Sequence, residues 1–365
     1  MVISCIITSL VTFILTTVHY SDSIAKLKIV ESFIEDKYYK DYDKDNAMEN
    51  AVKGYVSSLG DPYTQYFTAS EYEKFYSEVT GEFCGIGVML TNDTENNAIL
   101  IIDVFEKSPA EKAGLQEGDI ITKVEGVSYD GERLNEATDK MKGEEGTEVN
   151  ITVLKKDTGN EIDLKIIRQN IVAETVDSEV IDENIGYIHI SQFGTNTASE
   201  FVTHLDTLMS KNIKGLIVDV RDNPGGSTET LEAIASCVLP KGAVIYYTAD
   251  KNDNKQYFKS EMDGEDVPLV VLANENSASA SEIFVGAVKD NKRGVVVGTK
   301  TFGKGLVQEI VPLRDGSAIK ITIEKYYTPN GNYIHGKGIE PDYVVELEGE
   351  SDTQLEKALE ILKNQ

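Results

Sequence analysis

The sequence predicts a mixed α/β protein: a layered α/β domain with a largely parallel sheet, a smaller α+β domain ahead of it, and helical segments at both ends. Three observations carry this. From Asn184 onward short apolar strands alternate with helical stretches, which is the texture of strands joined by crossover helices. Between Gly81 and about Arg168 the strands instead follow one another closely and are punctuated by glycine turns. Finally, 365 residues with 41% hydrophobic positions exceed one ordinary core and can fill two.

Taken in order, residues 1–18, MVISCIITSLVTFILTTV, carry no charged side chain, and a helix of about 20 such residues matches the thickness of a bilayer. Polar HYSDS follows directly. The stretch has no positive leading segment and no A-x-A cleavage signal, so residues 1–20 are expected to be a membrane anchor or signal segment, an uncleaved anchor being favoured over a removed signal, with the rest of the chain on the outer side of a cytoplasmic membrane. A helical arm is predicted over 21–80. Its apolar positions Leu27, Val30, Phe33, Ile34, Met48, Val52 and Val56 recur at helical spacing up to the turn Gly60-Asp61-Pro62, and a short helix follows from Ser70 to about Ser77.

The small domain, 81–168, has strands in FCGIGVML, AILIIDVF, DIITKVEG, VNITVL and IDLKII, with helices near Pro109 and from Arg133 to Met141. The layered core, 169–348, runs GYIHI, a helix from about Ala198 to Met209, GLIVDV, a helix from about Thr228 to Val238, AVIYY, PLVVLAN, a helix from Ala280 to Val288, then GVVVG. The tail, 349–365, is an amphipathic helix with Leu355, Leu359 and Leu362 on one face, suited to packing or to a homodimer contact.

Composition excludes several functions. Against 62 acidic residues stand 35 basic ones, and the net charge of −27 repels a phosphate backbone, so nucleic acid is not an expected partner. Cys5, Cys84 and Cys237 are far apart, odd in number and at no metal-ligand spacing, so neither a disulfide framework nor a metal site is predicted. A weak likeness of VISC around Cys5 to a lipoprotein acylation box lacks the apolar run that should precede it.

In Phe83-Cys84-Gly85-Ile86-Gly87-Val88, glycines surround an apolar residue just before a strand, where backbone N–H groups can converge on an anion. A terminal carboxylate held there lets the preceding peptide add as an extra strand. Alone, the pattern also suits a tight turn. Ser108-Pro109-Ala110-Glu111-Lys112-Ala113-Gly114-Leu115 followed by Gly118-Asp119-Ile120-Ile121 then resembles the most recognisable stretch of PDZ domains, and the order of elements is similar to the circularly permuted PDZ of bacterial proteases.

After the buried strand PLVVLAN comes Asn274-Glu275-Asn276-Ser277-Ala278-Ser279-Ala280-Ser281-Glu282, small hydroxyl residues at a strand-to-helix turn. Such a turn exposes a side chain at the carboxyl end of a strand beside free helix N–H groups, although by itself it is more often a helix N-cap than a nucleophile. A serine nucleophile needs a base. His19, His189, His204 and His335 stand in no recognisable triad setting, which leaves a lysine made neutral by burial. Lys304, between Gly303 and Gly305, fits that role, with Gln308 able to orient its amine; a solvated loop lysine is the alternative.

Together these motifs resemble the C-terminal processing peptidases of the S41 family, whose S-A-S-A-S-E serine pairs with the lysine of F-G-K-G and the glutamine of the following V-Q. The resemblance implies Ser279, Lys304 and Gln308 as catalytic residues. Asp219-Val220-Arg221-Asp222-Asn223-Pro224-Gly225-Gly226 matches the family's D-x-R-x-N-P-G-G run and implies Gly226 and Ala280, with Gly225, as oxyanion-hole donors. Tyr326 to Gly331, Gly338 to Asp342 and Leu59 to Tyr63 are similar to further family elements, the last with one inserted glycine; Thr299-Lys300 departs from the acidic residues common there.

The implied fold is a crotonase- and ClpP-like peptidase core with an inserted, circularly permuted PDZ domain and terminal helices. The implied activity is serine-type hydrolysis of polypeptides near free C-termini, with no metal or organic cofactor, the PDZ loop at Phe83 to Val88 holding the terminus. Two other readings stay open: an inactive PDZ peptide-binding scaffold, and a dedicated signalling protease with a single partner substrate and an accessory activator protein.

Overall fold

The computed structural model describes residues 24–80, 82–182, 184–349 and 351–364. The anchor expected over 1–20, with Cys5 and His19, lies outside them, and among the described residues no helix is long and apolar enough to cross a membrane. The N-terminal segment forms two helices, over 24–37 and Lys44–Ser57, in place of one periodic run. Tyr38 packs edge-on against Tyr39 and Tyr42 in the break. Asp43 then caps the second helix by accepting the Asn46 N–H at 2.9 Å, satisfying a donor that the first helical turn leaves unpaired.

The small domain enters and leaves through one antiparallel pair, Glu82–Gly85 against Gln169–Val172, with Glu82 facing Val172. Beyond that stem, strands Val88–Asp93, Ala98–Val104, Ile120–Val124, Glu148–Leu154 and Glu161–Ile167 lie in this order in an antiparallel sheet. Ile99, Ile101, Ile121, Val149, Ile151 and Val153 form its core with Ala110, Leu115, Ala137 and Met141 from the helical segments. The Gly-Asp of the recognised stretch has a structural reason. Asp119 is fully buried, accepts the N–H groups of Gln116 and Lys156, and forms an ion pair with Lys155.

In the layered domain, strands Val176–Ile181, Ile185–Ile190, Gly215–Asp219, Leu269–Ala273, Val295–Gly298 and Tyr343–Val344 form a six-stranded sheet in that order. Only its first pair is antiparallel. Both faces are covered, which is why these strands read as unbroken apolar runs. Leu216, Val218, Val271 and Val296 face one core with Phe201, Leu231 and Phe284; Ile217, Val270, Leu272 and Val297 face the other with Ala358 and Leu362 of the tail helix Thr353–Lys363. That helix is pinned by Arg221, which reaches Asp352 at 2.8 Å and also pairs with buried Asp219.

One expected member of the parallel layer sits elsewhere. The AVIYY stretch, as strand Val244–Ala249, pairs antiparallel with Lys255–Lys259 and Ala318–Tyr327 in a second, five-stranded sheet. The cause is local: the Asp250 carboxylate accepts the N–H groups of Asn252 and Asn254 and folds the chain straight back as a hairpin. Ala318–Tyr327 is central, flanked by Gln65–Phe67 on one side and by the edge strand Leu306–Pro312 on the other.

Candidate active site

Three neighbouring parallel strands deliver the predicted catalytic segments to the same end of the sheet. Gly225 and Gly226 follow Gly215–Asp219, Ser279 follows Leu269–Ala273, and Lys304 follows Val295–Gly298. This is the carboxyl-terminal edge, where open α/β sheets bind ligands. Ser279, Lys304, Gln308, Gly225 and Gly226 all line one cavity of about 500 Å³, with Phe75, Val79, Leu306, Ile310, Lys320 and Tyr326.

Ser279 is the N-cap of helix Ala280–Asp290 and has φ +57°, ψ −114°, a left-handed conformation that costs a non-glycine residue about 1 to 3 kcal/mol. The surroundings enforce it. Ser281 donates its hydroxyl to Asn223 O at 2.9 Å, Ala278 donates its N–H to the same carbonyl at 3.0 Å, and Ser277 donates its hydroxyl to Val220 O at 2.7 Å. Every serine of the motif other than Ser279 is thus spent on stitching this turn to the glycine loop beside it.

That loop needs its glycines for space. A Cβ on Gly225 would lie 2.7 Å from Ala278 O and 2.8 Å from Ser279 Cβ, and one on Gly226 would lie 2.2 Å from Phe193 O. The Gly225 N–H donates to Asn223 Oδ1 at 2.9 Å, so Gly225 contributes close approach while its donor is already engaged.

The pivot of the site is Glu282, three residues after Ser279 and fully buried. Its carboxylate accepts four hydrogen bonds: Ser279 N–H at 3.0 Å, Thr301 hydroxyl at 2.7 Å, Gly303 N–H at 2.7 Å and Lys304 N–H at 2.7 Å. One side chain therefore fixes the Ser279 turn and the Lys304 loop to each other. Tyr326, buried on the adjacent sheet, adds a second tie: its hydroxyl lies 3.1 Å from Ser279 O and against Lys304 O. Burial holds this phenol well above its ordinary pKa, so it stays a donor.

Lys304 is half-buried, and its ammonium lies 5.4 Å from the centre of the Tyr63 ring. Burial pushes its amine below the ordinary lysine range, with the Glu282 charge opposing. Gln308 sits beyond it on the cavity face at a register shift in Leu306–Pro312, and its amide nitrogen is buried without a hydrogen-bond partner. Glu282, Tyr326 and Tyr63 were not among the expected site residues. Glu282 had a visible signal, because Ser279-x-x-Glu282 is the capping-box spacing.

In the small domain, Phe83, Gly85, Ile86, Gly87 and Val88 line a cavity of about 320 Å³ with Phe105, Leu134, Thr138 and Met141. Cys84 does not line it; its carbonyl accepts the Gly143 N–H at 3.1 Å, and burial raises its thiol pKa. Val88–Asp93 is an edge strand of its sheet, and its first residues share this cavity with helix Leu134–Met141.

Comparison with known proteins agrees with this architecture. The profile of peptidase family S41 matches residues 184–345, that of the PDZ domain residues 101–155, and that of the activating protease CtpB N-terminal domain residues 14–70. The carboxy-terminal processing proteases CtpB and CtpA of Bacillus subtilis are each 38% identical, over 88% of this chain and 67% and 69% of their own lengths. Among solved structures, the photosystem II D1 C-terminal processing protease superposes with a TM-score of 0.54 at 28% identity, covering 92% of this chain and 90% of its own. A putative S41 protease from Bacteroides fragilis shares the fold, with a TM-score of 0.55 at 17% identity over 90% of this chain and 91% of its own. The chain belongs to peptidase family S41, among its PDZ-bearing carboxy-terminal processing serine proteases.

Proposed function

We propose that the chain cuts polypeptides with a Ser279–Lys304 dyad. Neutral Lys304 takes the Ser279 proton, the serine oxygen attacks the scissile carbonyl, and the resulting ammonium returns the proton to the leaving amine as the C–N bond breaks. Water then releases the acyl-enzyme by the same route. Gly226 and Ala280 N–H groups stabilise the oxyanion, since the Gly225 donor is engaged elsewhere. Gln308 orients the Lys304 amine. The observation that carries this reading is the Glu282 clamp, which joins a strained serine to a lysine whose charge is disfavoured by burial. Labelling with a fluorophosphonate followed by peptide mapping tests it: the adduct is expected on Ser279, and an adduct on another serine overturns the assignment.

The substrate enters extended. Leu306–Pro312 is an edge strand along the cavity and offers main-chain hydrogen bonds to an added strand. A free C-terminus is held in the small domain at Phe83 to Val88, where Gly87 has φ +83° and Phe105, Leu134 and Met141 offer an apolar seat for the last side chain. For location, the uncharged residues 1–18 support a membrane tether with the peptidase outside the cytoplasm. Cell fractionation with protease protection checks this, and full-length protein found soluble in the cytoplasm refutes it. Ile29, Val30 and Phe33, exposed on the helix over 24–37, support pairing of two copies through the arm.

A further inference from the structure

Lys320 stands in the catalytic cavity with no part in the chemistry above. It lies on Ala318–Tyr327 directly opposite Ile310, and the next pair along that face is Gln308 with Thr322. Side chains two apart on a strand share a face, so Gln308, Ile310 and Lys320 present together to the cavity. The Lys320 ammonium is held by rings, 4.7 Å from the centre of Phe75 and 5.3 Å from that of Phe67, which are themselves stacked.

No carboxylate of the described residues forms a salt bridge with it. Asp61, the acid that acts on it through space, already accepts the Tyr63 N–H and the Thr64 hydroxyl. Glu229, the acidic residue of the cavity lining, is exposed and engaged with the Ser227 hydroxyl. Burial and the neighbouring Lys304 both disfavour the Lys320 charge, with Asp61 opposing. A cation that has lost water without gaining an anion is stabilised by any carboxylate that reaches it.

We propose that Lys320 is a specificity-determining residue that receives a carboxylate of the substrate. This rests on Ser279 and Lys304 being the dyad. A substrate strand beside Leu306–Pro312 advances about 3.3 Å per residue, so the stretch from Leu306 to Ile310 places that carboxylate within about four residues of the scissile bond. The carboxylate is an acidic side chain or the substrate's own terminus.

The test uses the full chain and a peptide that it cuts. Single Glu and Gln replacements are compared at each position within about four residues of the cleavage point, and a second set of shortened peptides carries a free acid or an amide at the same positions. In one position the carboxylate form is expected to show a kcat/KM about tenfold higher than its amide partner, and the set in which this occurs identifies the source. Lys320→Gln should bring that ratio to within about twofold, Lys320→Arg should keep it, and Lys320→Glu should favour a Lys-bearing peptide. Both peptides meet the same preparation, so partial loss of folded enzyme cancels from the ratio. The preference should also fade as pH rises through the lowered Lys320 range, earlier than for an ordinary lysine. Ratios near one everywhere in the wild type, or a ratio that survives Lys320→Gln, overturn the proposal. Cleavage by Ser279→Ala would instead strike at the dyad, leaving the Lys320 ratio readable.

Discussion

Replacing Glu282 by Gln separates the two tasks of that carboxylate. One oxygen takes the Thr301 hydroxyl and the Gly303 N–H, and the other takes the N–H groups of Ser279 and Lys304. A glutamine keeps one oxygen and turns an NH₂ toward the other two donors. Thr301 can rotate its hydroxyl to accept, so the better orientation orphans one buried N–H and the worse one two. At about 1 to 3 kcal/mol per orphaned buried donor, the loss is about 1 to 3 kcal/mol in the first case and about twice that in the second. Urea denaturation of the full chain reads it. The second task is electrostatic: Glu282 favours the Lys304 ammonium, whereas the proposed dyad needs the neutral amine. Removing the charge lowers the Lys304 pKa further, so the acid limb of the kcat/KM profile should move to lower pH even as the maximum falls. A limb that stays in place or moves upward would refute Lys304 as the titrating base, and an unchanged urea midpoint would refute the clamp.

Other substitutions probe the remaining parts. Ser279→Ala should leave peptide hydrolysis below about a tenth of wild type, and Lys304→Arg should be as inactive because arginine cannot give up its charge, both read by initial rates on an unfolded substrate. Gly87→Val puts a Cβ 2.4 Å from Ser108 Cβ at φ +83°; it should abolish the preference, about tenfold or more, for free-acid over amidated substrates while Ser279 still takes the fluorophosphonate. Arg221→Met leaves Asp219, 2% exposed, without its cation and should cost about 3 to 5 kcal/mol in urea. Burial alone would raise the Asp352 pKa, yet Arg221 holds it below the usual carboxylate range. Wild-type stability from this pair is therefore present above the ordinary Asp range and lost as pH falls through the depressed one, and that acid dependence should flatten in Arg221→Met.

The meeting of Gly226, Ser279 and Lys304 at one end of the sheet was legible because it depends on local order. Each βα turn of a parallel sheet releases its residues at the same edge, so alternation of strands and helices already implied that Gly226, Ser279 and Lys304 could meet. The second sheet was not legible in the same way. AIKITIEKYY and LVQEIVP are half-buried antiparallel strands with short apolar content, and the pairing of the first with Gln65–Phe67 spans most of the chain. Tyr63 is carried beside the site by the segment that leads into that pairing, and Lys320 by the register of its strand against Leu306–Pro312. Glu282 was visible in its motif, but a capping spacing cannot tell that the carboxylate also collects donors from the lysine loop. Gly225 shows the converse: its place in the loop was evident, while the engagement of its N–H by Asn223 required coordinates.

The stem of the small domain has a consequence for rearranging the molecule. Its two ends, Glu82 and Val172, face each other across one antiparallel pair, and facing Cα atoms in such a pair are about 5 Å apart. Everything between them hangs from a single point of attachment. The segment can in principle be cut out and the ends rejoined through a short turn, or a foreign peptide-binding module grafted in its place, with the three parallel strands that present Gly226, Ser279 and Lys304 lying wholly outside the exchanged piece. The small domain and the layered core are thus built as separable cassettes in one polypeptide.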